Sequence, residues 1–159
     1  EMSTDFPKSR ELVLDRVIDA PRIAVWRCWT EPDLLVQWFT PAPWSTKSSD
    51  VDVRPGGRFN TVMQDPDGNA HPNAGIYLDI AAGERLVFTD AMREGFAPSD
   101  NPFMVATLTF TDEGHSTRYR AVVRHFSEEA KVKHEEMGFY PGWNAAADQL
   151  ETLAKTLRD

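Results

Sequence analysis

Carboxylates, histidines and tyrosines are the residues of this sequence that could hold or transfer a proton on a bound molecule. The acid–base candidates are Asp90, His125, Glu135 and Glu136, with Tyr77 and Tyr119 as hydrogen-bonding groups. Acid–base catalysis needs such a group within reach of the proton that moves. The two glutamates end the acidic run Glu128–Glu136, which is typical of a solvated helix face. The catalytic candidates are therefore Asp90, His125 and Tyr119.

The direction in which Asp90 and His125 point is open from the sequence. Asp90 shares strand parity with Leu86 and Phe88, so its carboxylate faces the interior if those residues do. The alternative is a strand-end aspartate in solvent, or one paired with Arg93. His125 ends a strand whose inward positions are 119, 121, 123 and 125, so it either enters a pocket or caps the sheet edge.

The sequence contains no motif typical of metal binding or of nucleophilic catalysis. No two of the four histidines stand four residues apart, and Gly138 occupies the position where His134-Glu135-Glu136 would need a second histidine. There is no Gly-x-Ser-x-Gly and no phosphate-binding loop. Cys28 lies between Trp26 and Trp29 on an apolar face and is predicted to be a buried structural residue. We expect neither a metal nor a cofactor.

Aromatic residues are the second group with functional potential, because an apolar pocket is lined by such rings. The predicted ligand-binding residues are Trp26, Trp38, Phe39, Trp44, Phe59, Met63, Tyr77, Phe88, Phe103, Tyr119, Phe139 and Trp143. A filled core would have the same composition. Three of these rings flank Pro41 and Pro43, which exclude a helix or a central strand. That segment, 38–44, is predicted to be a loop, either a lid on the core or a pocket mouth.

Composition bounds the class of protein. The 159 residues carry a net charge of −8 without a Lys/Arg cluster, which opposes nucleic-acid binding. No apolar run is long enough to span a membrane, and a single cysteine fits a reducing cytoplasm. We expect a flexible arm at residues 1–9 and one domain at 10–159, located in the cytoplasm. A homodimer is left open.

A long amphipathic helix is predicted over 141–157. Its apolar residues recur at Trp143, Ala146, Ala147, Leu150, Leu153, Ala154 and Leu157, the spacing of one helix face. Such a helix must lie on an apolar partner. The alanines either let it sit close to a sheet or leave room for a ligand.

Alternating strands supply that partner. The predicted strands are Glu11–Ile18, 48–53, Arg58–Gln64, 75–80, 85–92, 103–111 and 117–125. Helices are predicted at 21–30 and at 127–137. A short helix with Thr30 as its cap is predicted directly after the first of these. This order predicts an α+β domain in which an antiparallel meander holds the last helix; only the contacts of the first strand are left open.

Several segments of the sequence resemble one known family. They are Asp19-Ala20-Pro21, Trp29-Thr30-Glu31-Pro32, Arg54-Pro55-Gly56-Gly57-Arg58-Phe59, Gly75-Ile76-Tyr77-Leu78-Asp79-Ile80 and Gly142-Trp143. In this order, over residues 10–157, they resemble the START-like superfamily (SRPBCC) branch named after the activator of Hsp90 ATPase. The resemblance implies a helix-grip (Bet v 1-like) fold, a seven-stranded antiparallel sheet around the C-terminal helix with an internal cavity. Asp90 stands where many relatives carry an aromatic residue.

The resemblance implies two classes of function. The first is binding of a small apolar or aromatic molecule in the internal cavity, with a cyclase- or hydrolase-like activity left open. The second is a protein-interaction module akin to the Hsp90-activating domain. A binder requires a cavity, whereas an interaction module is expected to have a filled core and an exposed patch.

Overall fold

The architecture is one antiparallel sheet with a C-terminal helix packed against it. The computed structural model describes residues 5–157. Its strands are β1 Glu11–Ile18, β2 Ser45–Val51, β3 Arg58–Gln64, β4 Ala70–Ala81, β5 Arg85–Thr89, β6 Met92–Arg93, β7 Ala97–Pro98, β8 Met104–Glu113 and β9 Ser116–His125. Its helices are a 3-10 turn Lys8–Arg10, α1 Arg22–Thr30, α2 Pro32–Leu35, α3 Glu128–Glu136 and α4 Phe139–Ala154. This confirms the predicted α+β fold.

The seven long strands follow the order β1-β9-β8-β5-β4-β3-β2. Every pairing is antiparallel, including β1 with β9, so the first strand is not an exception. Leu12 lies opposite Val123, and Leu14 lies opposite Ala121. The strands β6 and β7 form a separate small hairpin. The sheet thus forms one side of the domain, and the helices pack on one of its faces.

Alternation of side chains explains which face of the sheet is covered. Along β9 the odd-numbered residues from Thr117 to His125 are buried. The intervening arginines face outward, where Arg118 pairs with Asp15 at 2.6 Å and Arg124 pairs with Glu11 at 2.8 Å. Such exposed pairs contribute little to stability. Burial of the apolar face therefore fixes the register of this strand.

The C-terminal helix starts and ends earlier than the spacing predicts. It spans Phe139–Ala154 rather than 141–157, and its buried face consists of Phe139, Ala146, Ala147, Leu150 and Ala154. Pro141 lies in the first turn, where a missing N–H leaves no intrahelical bond unmade. The helix can begin two residues before Pro141 because Gly138 adopts a φ of 98°, a left-handed conformation that suits glycine.

Other predicted boundaries also differ from the structure, most of all the start of the fourth strand, which lies at Ala70 rather than at residue 75. Thr30 does not cap α2, because its Oγ1 donates to the carbonyl oxygen of Trp26 at 2.9 Å. The fifth strand ends at Thr89 rather than Met92, since the Oγ1 of Thr89 accepts from the Ala91 N–H and turns the chain. The second strand runs from Ser45 to Val51 rather than over 48–53.

Residues 1–4 of the predicted arm lie outside the described residues. Just after them, Lys8–Arg10 form the 3-10 turn. The Nε of Arg10 donates to the carbonyl oxygen of His125 at 2.9 Å, so this turn is tied to the end of β9. None of the helices between residues 5 and 157 combines the length and apolar character that a membrane-spanning helix needs.

One side chain of α4 fixes the loop at 38–44. The Nε2 of Gln149 donates to the carbonyl oxygens of Trp38 at 2.8 Å and Thr40 at 2.9 Å. Its Oε1 accepts the backbone N–H of Ala42 at 2.9 Å. Three hydrogen bonds from one amide hold the loop against the helix, in a segment whose prolines limit its own hydrogen bonding.

Replacing Gln149 with Glu tests this role. The isosteric change keeps the acceptor for Ala42 but places a carboxylate oxygen against two carbonyl oxygens. The free energy of unfolding is expected to fall by about 1–3 kcal/mol, which is the usual cost of leaving a buried hydrogen-bonding group without a partner. Chemical denaturation measures it. Gln37→Glu is the matched control, because Gln37 is exposed and donates only to Asp33 within its own turn; an equal loss in both variants would contradict the role.

Candidate functional site

A partly open cavity of about 250 Å³ lies between the sheet, α1 and α4. Its lining residues are Trp29, Trp38, Phe39, Pro41, Met63, Phe88, Met104, Tyr119, His134, Gly142, Trp143 and Ala146. None of them carries a carboxylate, an ammonium or a guanidinium group. The polar atoms of these side chains are the indole nitrogens, one phenol and one imidazole. The lining therefore suits a neutral molecule with an apolar body.

The cavity opens into a groove on the surface. Pro41, Met63, His134 and Trp143 line both the cavity and this groove. The groove continues along the 40–44 loop and the Met137–Phe139 segment between α3 and α4. The segment with the two prolines thus lies beside Trp143 at the mouth, which is one of the two roles that its aromatic residues predict.

Trp29 forms the inner wall. It is buried, and its Nε1 donates to the Oη of Tyr119 at 3.1 Å. Its ring meets Trp38 at a centroid distance of 5.0 Å and Phe88 at 6.0 Å. Burial raises the pKa of the Tyr119 hydroxyl, which therefore stays protonated at neutral pH. The hydrogen bond and the ring contacts fix the orientation of both side chains.

Half of the predicted ligand-binding residues line the cavity. They are Trp38, Phe39, Met63, Phe88, Tyr119 and Trp143. The lining residues that the aromatic pattern does not predict are Trp29, Pro41, Met104, His134, Gly142 and Ala146. Ala146 fits the hypothesis that small residues of the last helix leave space. Gly142 lies on the same face, three residues after Phe139 and four before Ala146.

Three predicted residues belong to the core behind the wall. Phe59 stacks on Tyr77 at a centroid distance of 5.1 Å and meets Phe88 edge-on at 4.7 Å. Trp26 packs edge-on against Phe110 at 5.5 Å, away from the cavity. The Oη of Tyr77 is buried without a hydrogen-bond partner among the described residues. These rings support the lining residues and do not line the cavity themselves.

The three remaining predicted aromatic residues surround the mouth from outside. Trp44 and Phe139 line the outer groove, and the Trp44 ring also lies 4.8 Å from that of the exposed His71, tilted by 42°. Phe103 lies against the rings of His125 and His134, with centroid distances of 5.5 and 4.9 Å. It lines a second surface groove along α3.

Asp90 does not line the cavity, so the structure has the outward one of the two directions that the sequence leaves open. Its Oδ1 accepts the backbone N–H groups of Phe103 at 2.9 Å and Met104 at 3.1 Å. The side chain borders a surface depression that also includes Arg93. Asp90 does not point the same way as Leu86 and Phe88, because β5 ends at Thr89 and the alternation of side chains ends with it. Asp90 thus caps the start of β8, and its position gives no support to a role in proton transfer.

His125 and His134 form a hydrogen-bonded pair at the mouth. The Nε2 of His125 lies 2.9 Å from the Nδ1 of His134, and the Nδ1 of His125 lies 2.9 Å from the carbonyl oxygen of Arg10. His125 is buried and does not line the cavity, whereas His134 does. Burial lowers the pKa of His125, and burial together with the neighbouring His125 lowers the pKa of His134 to about 4. Both imidazoles are therefore neutral at pH 7.

Other reactive groups are absent from the cavity. Burial raises the pKa of the Cys28 thiol to about 12, so this cysteine is not a nucleophile at neutral pH. Among residues 5–157 no group of three or more His, Cys, Asp or Glu side chains is placed to hold a metal ion.

The sequence profile of the family described as activator of Hsp90 ATPase homolog 1-like protein matches residues 19–155. The chain belongs to this family. A crystal structure of a protein from Nitrosomonas europaea is 41% identical, with a TM-score of 0.91 over 94% of this chain and 97% of that chain. No curated protein sequence matches. Family and fold together indicate a domain for ligand binding or interaction.

More distantly related solved structures share the architecture. A solution NMR structure of a protein from Arthrobacter aurescens is 25% identical, with a TM-score of 0.81 over 99% of this chain and 93% of that chain. The AHSA1-like protein from Aeromonas hydrophila is 20% identical, with a TM-score of 0.70 over 91% and 92% of the two chains. At that identity the likeness concerns the fold alone.

Trp29 and Trp143 should differ in their contribution to stability. Trp29→Ala removes a buried ring and leaves Tyr119 without its donor, so the free energy of unfolding is expected to fall by about 3–5 kcal/mol. Trp143 is partly buried at the mouth, and Trp143→Ala should cost only about 1–2 kcal/mol. Denaturant titration of both variants measures this difference. A larger loss in Trp143→Ala would place that ring in the core rather than at an opening.

The histidine pair predicts a loss of stability in mild acid. The pKa of His134 is about 4 in the folded protein and about 6.5 in an unfolded chain. The unfolded state therefore binds more protons between these values, so stability is full above pH 6.5 and falls toward pH 4. Burial also lowers the pKa of His125, with a smaller contribution from Lys131, and this adds to the trend.

Unfolding measured from pH 7.5 to 4 in the wild type and in His134→Gln tests this prediction. The variant should have a shallower dependence in this window. His115→Gln is the control, because His115 is exposed in the turn between β8 and β9. Identical profiles for His134→Gln and the wild type would show that His134 is not held in its neutral form.

Proposed function

We propose that the protein binds a small apolar or aromatic molecule in the cavity between the sheet and α4. The observation that carries this proposal is the cavity itself, which is lined mainly by aromatic and methionine side chains and is continuous with a surface groove. A core that served only stability would be filled at crystal-like density.

The volume limits the size of the ligand. Apolar cavities of about 150 Å³ hold a benzene ring, so about 250 Å³ accommodates one or two fused rings. An aromatic group of that kind buries about 150–250 Å², which at about 25 cal/mol per Å² corresponds to roughly 4–6 kcal/mol. The entropic cost of association reduces this gain. Dissociation constants from about a hundred micromolar into the millimolar range are therefore expected for a ligand without polar contacts.

Binding rather than a reaction is the function that the lining supports. Asp90 lies outside the cavity, and the Tyr119 hydroxyl is engaged by Trp29. The cyclase- or hydrolase-like activity implied by the resemblance therefore has no identified acid–base pair. The alternative of an interaction module predicts a filled core, and the cavity is evidence in favour of a binder.

A substitution at Gly142 separates ligand binding from folding. Gly142 lines the cavity, and a Cβ built there meets no atom within 4 Å. Gly142→Leu should therefore place its side chain in the open space without a clash. Leucine is also a better helix former than glycine, so stability should not fall.

Equilibrium dialysis of naphthalene against the protein provides the measurement. The wild type should take up one molecule per chain in a saturable manner, and Gly142→Leu should lower the affinity at least tenfold. Ala145→Leu is the matched control on the same helix, because Ala145 does not line the cavity. Absence of saturable uptake by the wild type would overturn the proposal. Equal affinities in the wild type and Gly142→Leu would place the binding site elsewhere.

A further inference from the structure

We propose that the cavity selects an aromatic molecule that carries a neutral hydrogen-bond donor such as a phenolic hydroxyl, with the Nε2 of His134 as the acceptor. His125 is the positioning residue that fixes the tautomer of His134. This inference rests on the proposed function, because it names the class of ligand that the same cavity takes. It follows from where the protons of two histidines must lie.

A backbone carbonyl group determines which nitrogen of His125 carries the proton. The Nδ1 of His125 lies 2.9 Å from the carbonyl oxygen of Arg10. A carbonyl oxygen only accepts, so the Nδ1 of His125 must carry the hydrogen. In a neutral imidazole the other nitrogen then has a lone pair and accepts. The Nε2 of His125 is therefore an acceptor.

The tautomer of His125 in turn determines which nitrogen of His134 carries the proton. The Nδ1 of His134 lies 2.9 Å from the Nε2 of His125. Because His125 accepts at this contact, His134 must donate from its Nδ1. Neutral His134 then has its lone pair on Nε2. No group among the described residues donates a hydrogen bond to this nitrogen in the structure, and its ring lines the cavity and the mouth.

The ring of His134 is held in place by its neighbours. Phe103 and Phe139 pack against it at centroid distances of 4.9 and 5.1 Å, and His125 lies at 5.1 Å. The low pKa of His134 keeps the acceptor unprotonated at neutral pH. A fixed lone pair in an apolar lining favours a ligand that donates a hydrogen bond to it.

The remaining lining supports a neutral donor. No charged side chain lines the cavity, so an ionised ligand would be desolvated without a counter-charge. The Tyr119 hydroxyl accepts from Trp29, and its own O–H has no acceptor among the described residues, so it can donate to the oxygen of a phenol. A phenol satisfies both requirements, because its ring fills the apolar space and its O–H can reach an imidazole nitrogen.

The affinity test compares two ligands of the same shape. In 2-naphthol a hydroxyl occupies the position that a methyl group occupies in 2-methylnaphthalene. Dialysis at pH 7.5 gives the ratio of their affinities in the wild type and in His134→Leu. The ratio should fall about two- to tenfold in the variant, the range for one hydrogen bond, while the affinity for 2-methylnaphthalene changes little. An unchanged ratio overturns the inference. Failure of both ligands to bind the wild type overturns the proposed function instead.

The tautomer test is independent of any ligand. Long-range ¹H–¹⁵N NMR correlations should show His134 protonated at Nδ1 in the wild type. The His134 Nε2–H form in the wild type would overturn the inference, whatever the variants do.

Variants of His125 test its positioning role with the same spectra. His125→Leu, which cannot accept, should give a mixture of His134 tautomers and reduce the preference for 2-naphthol. His125→Gln offers an amide oxygen as acceptor and should restore both. A His134 tautomer unchanged in His125→Leu would contradict the role of His125.

Discussion

Burial of one face of α4 against the sheet is the constraint on which the cavity depends. Ala147, Leu150 and Ala154 in the C-terminal half of the helix are buried and hold it close to the strands. Toward its N-terminus the same face presents Gly142 and Ala146, whose side chains are too small to fill the space beneath Trp143. The helix is thus packed closely against the sheet in its C-terminal half. Its small side chains nearer the N-terminus leave a space between helix and sheet.

Hydrogen bonds between buried polar groups keep that opening in shape. The indole of Trp29 donates to Tyr119, and the indole of Trp38 donates to the carbonyl oxygen of Cys28 at 2.9 Å. Gln149 fixes the loop over the mouth, and the two histidines connect the mouth to the backbone of Arg10. Because unsatisfied buried groups are destabilising, these bonds favour one arrangement of the wall, and they leave the His134 lone pair available.

The elements were predictable because they depend on local spacing, whereas the site depends on contacts between distant residues. The stripe of α4 and the alternation of β9 specify a helix on an antiparallel sheet. The direction of Asp90 could not be predicted, because one hydrogen bond of Thr89 ends the strand and, with it, the alternation of side chains on which the prediction depends. His134 was hidden in an acidic helix that is elsewhere exposed, and only its pairing with His125 shows its role. Trp29 lies three residues after Trp26, and nothing in the spacing shows which of the two rings lines a cavity.

Methionine methyl groups offer the most direct measurement of the central claim, that an aromatic molecule occupies the cavity. Met63 and Met104 line it, whereas Met92 is exposed and lines neither the cavity nor the outer groove. With methyl-labelled methionine and unlabelled naphthalene, intermolecular NOEs should connect the ligand to Met63 and Met104 and not to Met92. NOEs to Met92 without NOEs to Met63 and Met104, or none under conditions where naphthalene binds, would contradict binding in the cavity.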